Sequence, residues 1–222
     1  MTASEDRGQQ GSLACSLGFT GCERTELERI EELLAVRMKD ATKRHRHSLG
    51  VAKTATELAE TYQVDAYLAA AAGLLHDWDK VLPDEELVSR AIRYRIEVAG
   101  SPTLAAPLLH GPVAARELPE LFRELPGEVF QAIARHTVGA VDMTPLDMVV
   151  FVADAIEPGR RGEYADVLRA QVGEVSLEEL FFYCFSRGLI YVLETGRYLY
   201  PTAIEIYNRY ALARPSTAKQ AR

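Results

Sequence analysis

Four of the five histidines in the chain, His47, His76, His110 and His136, fall on an apolar helical stripe or at a helix end. Two aspartates have the same surroundings. Asp77 follows His76 at the end of the apolar run Ala69-Ala70-Ala71-Ala72-Gly73-Leu74-Leu75, and Asp154 follows Met148-Val149-Val150-Phe151-Val152-Ala153. An isolated carboxylate buried among such residues costs several kcal/mol or neutralises, unless a cation or a donor compensates it. One histidine on an apolar stripe is ordinarily a satisfied core residue. Six such residues in one chain require a shared explanation. Four neutral imidazoles and two carboxylates suit a pair of first-row divalent cations with one carboxylate shared, and Asp77, at a crowded helix end, is the natural bridge. Such a pair lowers the pKa of a shared water from about 15.7 to near neutral. Cys15, Cys22 and Cys184 form no CxxC pair, which disfavours a structural zinc site.

The elements that must position these residues are helices. Residues 25–39 carry Leu27, Ile30, Leu33, Leu34 and Met38 at helical spacing, with Thr25 and Glu28 placed as a capping box. Residues 41–62 form a second helix with Val51, Ala55, Leu58 and Tyr62 as its stripe. His47 stands four residues before Val51 and so lies on that stripe, whereas His45 faces away. Asp65 caps the central helix that ends in His76-Asp77. Gly73, on the face His76 and Asp77 share, leaves room for another backbone or for ions. Pro83-Asp84-Glu85-Glu86 opens the next helix with proline at its first position and acids in its first turn. Residues 101–109 are irregular, and His110-Gly111-Pro112 enters a further helix. Val129, Ile133 and His136 share a register in residues 128–136. Thr144-Pro145-Leu146-Asp147 caps the helix that carries Asp154 and stops at Pro158-Gly159. Ser176-Leu177-Glu178-Glu179 and Thr202-Ala203-Ile204-Glu205 cap the last two. With no alternating strand pattern and no internal repeat, the fold class is all-α.

A length of 222 residues, 48% of them apolar, fits one domain with a substantial core. Residues 1–22 read as a mobile N-terminal leader, 23–214 as the domain and 215–222 as a mobile C-terminal tail. The net charge of −7 argues against broad electrostatic binding of nucleic acid or an anionic membrane. A phosphate-bearing ligand would have to be drawn in locally by bound cations and a few placed Lys and Arg. No apolar run approaches the roughly 18 residues that span a bilayer. Three cysteines without a pairing pattern fit a reducing, cytoplasmic compartment.

The order His47, His76-Asp77, His110, His136, Asp154 resembles that of the HD-domain phosphohydrolases, named for their His-Asp doublet. The stretches that carry the resemblance are Arg44-His45-Arg46-His47-Ser48-Leu49-Gly50-Val51-Ala52, Ala72-Gly73-Leu74-Leu75-His76-Asp77 and Leu109-His110-Gly111-Pro112-Val113-Ala114-Ala115. They continue in Ala132-Ile133-Ala134-Arg135-His136-Thr137 and Val152-Ala153-Asp154-Ala155-Ile156-Glu157-Pro158-Gly159-Arg160. The last of these is similar to the branch of symmetrical bis(5'-nucleosyl)-tetraphosphatases, and the likeness runs from about residue 40 to Tyr210. It implies an HD-domain helical bundle that cleaves the dinucleoside polyphosphate diadenosine tetraphosphate into two ADP. It implies one metal on His47, His76, Asp77 and Asp154 and a second on Asp77, His110 and His136, iron being the usual metal and manganese the alternative. Asp77 and Lys80 would be catalytic, with Lys80, Thr137 and Arg160 against the phosphates or the nucleotide. Asp79 departs from the pattern, since the family tends to carry a small residue there, and a carboxylate beside Lys80 would offset its charge. A homodimer is left open. Two other readings keep the fold: a phosphatase or phosphodiesterase for another nucleotide, and a nucleotide-sensing module without turnover.

Overall fold

The computed structural model describes residues 12–213, which form twelve α-helices and one 3-10 turn, with no strand among the described residues. In chain order the helices are α1 (Leu13–Ser16), α2 (Gly21–Arg37), α3 (Thr42–Tyr62), α4 (Ala66–Leu75), α5 (Asp84–Arg93) and α6 (Pro102–Ala105). After the 3-10 turn (Ala106–Leu108) come α7 (His110–Leu121), α8 (Gly127–Arg135), α9 (Pro145–Ile156), α10 (Glu163–Arg169), α11 (Leu177–Glu194) and α12 (Ala203–Ala213).

The apolar run before His76 forms α4, the hub. Every residue from Leu68 to Leu75 is buried, as a helix with no polar stripe requires, and α2, α3, α8 and α9 pack around it. The Asp65 carboxylate accepts from the Leu68 amide at 3.0 Å and starts the helix. The space beside Gly73 belongs to a backbone rather than to ions: a Cβ there would stand 2.7 Å from Ala52 Cα of α3. That close approach brings His47 of α3 alongside the end of α4. Phe181 and Phe185 of α11 pack against Phe151 of α9, the first edge to face, and extend the core towards the C-terminal helices. A small satellite cluster, Leu87, Ala91, Leu109 and Val113, holds α5 against the start of α7.

Three expectations change. The first helix starts at Gly21, four residues before the proposed cap, so the Thr25 hydroxyl donates back to Gly21 O at 3.2 Å and makes no capping box. Residues 101–109, read as irregular, contain α6 and the 3-10 turn. Within the segment read as a leader, α1 packs on α2, with Ala14 buried and the Leu13 and Ala14 amides donating to Glu31 at 3.1 and 2.9 Å. The Ser12 hydroxyl donates to Glu28 at 2.6 Å. The packed unit therefore reaches back to Ser12; a one-turn helix has no periodicity to reveal it. The remaining leader residues, 1–11, and the tail at 215–222 lie outside the described residues. Among the described residues no helix is long and apolar enough to cross a membrane.

Candidate metal centre

The six residues singled out by type and spacing converge at the C-terminal end of α4. The ligand atoms of His47, His76 and Asp154 lie within 4.8 Å of one another, as do those of His76, Asp77 and His136. His45 is not among the clustered side chains.

Three of the imidazoles are fixed in the same way. Each gives its Nδ1 to the carbonyl three residues earlier: His76 to Gly73 O at 2.8 Å, His110 to Pro107 O at 3.0 Å and His136 to Ile133 O at 2.7 Å. A carbonyl only accepts, so Nδ1 carries the proton and Nε2 presents its lone pair to the centre. These residues sit at helix ends or entries, where such carbonyls are free. His47 lies inside α3, where they are not, and its Nδ1 turns instead to Glu157 Oε1 at 3.1 Å. The Glu157 carboxylate is itself enclosed, because a Cβ on Gly50 would meet it at 2.7 Å and one on Gly159 at 2.6 Å. Gly159 N donates to its Oε2 at 2.5 Å. Glu157 escaped the sequence reading as a partner of His47, because the two stand 110 positions apart.

Asp77 divides the cluster. Its Oδ2 lies 3.4 Å from His76 Nε2 and 3.7 Å from His47 Nε2, while its Oδ1 lies 3.0 Å from His110 Nε2 and 3.8 Å from His136 Nε2. Asp154 Oδ1 is 3.0 Å from His47 Nε2. The Nε2 atoms of His110 and His136 are 3.0 Å apart, and those of His47 and His76 3.3 Å. Lone pairs this close repel unless a proton or a cation lies between them, so the donor set fits divalent metal on both sides of Asp77.

The electrostatics agree. Burial pushes His136 down to about 3, helped by the neighbouring His110 and His76, and burial also lowers His110. For Asp77 burial works the other way, but the neighbouring His76 and His110 outweigh it and hold the carboxyl well below its ordinary range. Asp154 is likewise held low against burial by His47, His76 and Arg160. His76 is raised, since Asp77 overcomes the effect of burial. Two guanidiniums, Arg44 on Asp77 Oδ2 and Arg160 on Asp154 Oδ1, each at 2.6 Å, share this negative charge. Arg44 also escaped the sequence reading, although it precedes His47 by three residues and so shares its face.

Of the residues expected at the phosphates, Thr137 is at the centre, its hydroxyl 2.9 Å from His136 Nε2. Arg160 is there as well, bonded to Asp154. Lys80 is not aimed inwards. Its ammonium donates to Pro107 O at 2.8 Å and lies 3.3 Å from Nδ1 of His110, the outer edge of that ring. Asp79 does not face Lys80. It is fully buried and accepts from Arg37 of α2 at 2.7 Å, with burial and Glu117 pushing it up to about 6. At the C-terminal end of α8, Arg135 donates to the buried Asp147 of α9 at 2.8 Å and fixes the turn that carries His136 and Thr137.

A cavity of about 670 Å³ opens directly from the cluster. His136, Thr137, Asp154 and Arg160 form one wall, and Phe151, Phe185, Leu189, Tyr198 and Tyr200 line much of the rest. Polar groups at one end and aromatic walls at the other suit a ligand with a charged part and a flat apolar part.

The HD domain family profile matches residues 44–159. A Staphylococcus aureus protein named symmetrical bis(5'-nucleosyl)-tetraphosphatase is 32% identical over 171 residues, 76% of this chain and 87% of that one. A Bacillus subtilis protein of the same name is 29% identical over 182 residues, 82% of this chain and 97% of that one. Among solved structures, one from Clostridium acetobutylicum, described as a predicted HD superfamily hydrolase involved in NAD metabolism, superposes with a TM-score of 0.77 at 30% identity, covering 84% of this chain and 97% of that one. Sequence, fold and the converging His-Asp cluster agree: the chain belongs to the HD domain family of hydrolases, in the branch of the symmetrical bis(5'-nucleosyl)-tetraphosphatases.

Proposed function

We propose that this chain hydrolyses diadenosine tetraphosphate symmetrically to two ADP with the help of two divalent cations, iron by preference and manganese as the alternative. The observation that carries the reading is the division of Asp77, one oxygen towards His47 and His76 and the other towards His110 and His136. On this reading His47, His76, Asp154 and one oxygen of Asp77 hold the first ion, and His110, His136 and the other oxygen hold the second. Imidazole and carboxylate together suit first-row metals rather than magnesium or calcium. When bound, the pair supplies Lewis acidity towards a phosphoryl oxygen and a water acidic enough to attack at neutral pH.

The chain's own residues do the rest. One nucleoside half occupies the aromatic cavity, which places its phosphates at the wall formed by Thr137, Asp154 and Arg160. The Thr137 hydroxyl turns from His136 to donate to a phosphate oxygen. The Arg160 guanidinium faces the charge that builds on the departing half. Water adds to one inner phosphorus and gives up a proton to solvent, the bridging P–O bond breaks, and the electron pair leaves on ADP, which needs no general acid. Lys80 keeps the Pro107 carbonyl, and through it His110, in place. This assigns it positioning rather than contact with substrate.

Turnover of the metal-free and metal-loaded chain, with products separated by chromatography, tests the reading. ADP as the sole nucleotide product, lost on chelation and restored by ferrous or manganous ion, is expected. ATP plus AMP would contradict symmetrical cleavage, and turnover that survives removal of all metal would contradict the metal assignment as well.

A further inference from the structure

A second cavity, about 480 Å³, adjoins the first. The two share Ala155, Arg160, Tyr164, Gly188 and Tyr191 in their walls, so Arg160, bonded to Asp154, borders both. The second differs in character. Arg161 and Arg187 line it beside Arg160, with one acid, Glu194, in the same wall. Four other arginines of this acidic chain are held by acids: Arg37 by Asp79, Arg90 by Glu117, Arg135 by Asp147 and Arg169 by Asp166. Arg161 and Arg187 are exposed and form no ion pair among the described residues. Two unneutralised guanidiniums facing one groove, in a chain of net charge −7, mark it for an anion with several oxygens.

Gly188 gives a second, independent sign. It sits inside α11, where glycine costs about 1 kcal/mol relative to alanine. Packing does not require it, because a Cβ at that position would meet nothing within 4 Å. Its place is in the shared wall, where a larger side chain would narrow the connection between the cavities.

We infer that this arginine-lined groove is a second nucleotide subsite, which takes the diphosphate of the half of the substrate that departs while the aromatic cavity holds the other half. The inference rests on the phosphohydrolase reading above and extends it. A molecule with a nucleoside at each end needs two receptacles on either side of the reacting phosphorus, and the walls that meet at Arg160 supply them.

Calorimetric titration of the manganese-loaded full chain with ADP tests the inference. Two ADP per chain are expected for the unaltered protein and one for the Arg161→Ala/Arg187→Ala double variant. The KM for diadenosine tetraphosphate should rise about tenfold or more in that variant, with a smaller change in kcat and an unchanged metal content. Gly188→Leu, which keeps both arginines, should also lose the second ADP while retaining or raising the melting temperature. One ADP per chain in the unaltered protein, or two in the double variant, would overturn the inference. If the unaltered chain binds two ADP yet does not cleave the tetraphosphate, the phosphohydrolase reading fails and the groove stands.

Discussion

The two sides of the metal centre are built differently. On one side His47 and Asp154 leave 11% and 25% of their side chains exposed, two carboxylates, Asp77 and Asp154, stand beside two imidazoles, and His47 is steered by the Glu157 carboxylate. On the other side His110 and His136 are each 2% exposed, their only acid is the shared Asp77, and both are steered by backbone carbonyls. The first side concentrates negative charge next to the cavity and is balanced by Arg44 and Arg160. The second is a buried imidazole pair whose geometry depends on helix ends. The contrast bears on the proposed pair of ions shared by Asp77, which need not be held alike: the carboxylate-rich side should bind its ion more tightly, and the imidazole side should depend more on the packing around it.

Asp77→Asn gives the largest expected effect, because it weakens both sides at once. A fall of about three orders of magnitude in kcat, with metal content lowered on both sides, is expected in steady-state assays. A variant that keeps one full-affinity ion and half its turnover would remove Asp77 as the bridge. Next come the two neighbouring histidines. His47→Ala should lose metal and activity while His45→Ala keeps both, and equal losses would show that α3 presents another face.

A finer contrast uses two residues that touch no ion. Glu157→Gln should weaken the carboxylate-rich side alone by about 10–100-fold in metal affinity, since the amide no longer offers His47 a charged acceptor. Gly111→Ala should act on the other side alone. A Cβ there would stand 2.5 Å from Ile133 O and 3.0 Å from the His136 ring. A loss of about 1–3 kcal/mol in stability by denaturant unfolding, together with loss of the second ion, is expected. If either substitution weakens both ions equally, the two sides are not separable.

The smallest effect lies behind the cavity. Burial pushes the Cys184 thiol up to about 12, so at pH 8 iodoacetamide should label the exposed Cys15 and Cys22 and leave Cys184 untouched until the chain is unfolded. Mass spectrometry of the labelled protein checks this, and Cys184→Ala should leave both ions bound.

Much of this centre was legible in the sequence because helical periodicity places side chains by rule. His47 four residues before Val51, and His76-Asp77 at the end of an unbroken apolar run, could be assigned to buried faces without knowing how the helices pack. What periodicity does not encode is where a long or distant side chain goes. Lys80 has the reach to pass behind His110 to Pro107 O, and only the path of the 3-10 turn decides that it does. Glu157 lies in a turn beyond α9, and its meeting with His47 is a product of α3 against α9. Arg160, legible as a cation near the site, lies between two cavities because α9 and α11 leave space there, and no spacing in either helix states that. At the start of the chain, α1 is held by hydrogen bonds from Ser12, Leu13 and Ala14 to α2, and such bonds have no period to read.

Titration of the metal-free chain with manganous ion, followed by calorimetry, tests the central claim of two unlike ions held in common by Asp77. Two equivalents per chain in two resolved steps are predicted, with the tighter step abolished by Asp154→Asn and the weaker by His136→Ala. A single equivalent, or two identical steps that respond alike to both substitutions, would contradict it.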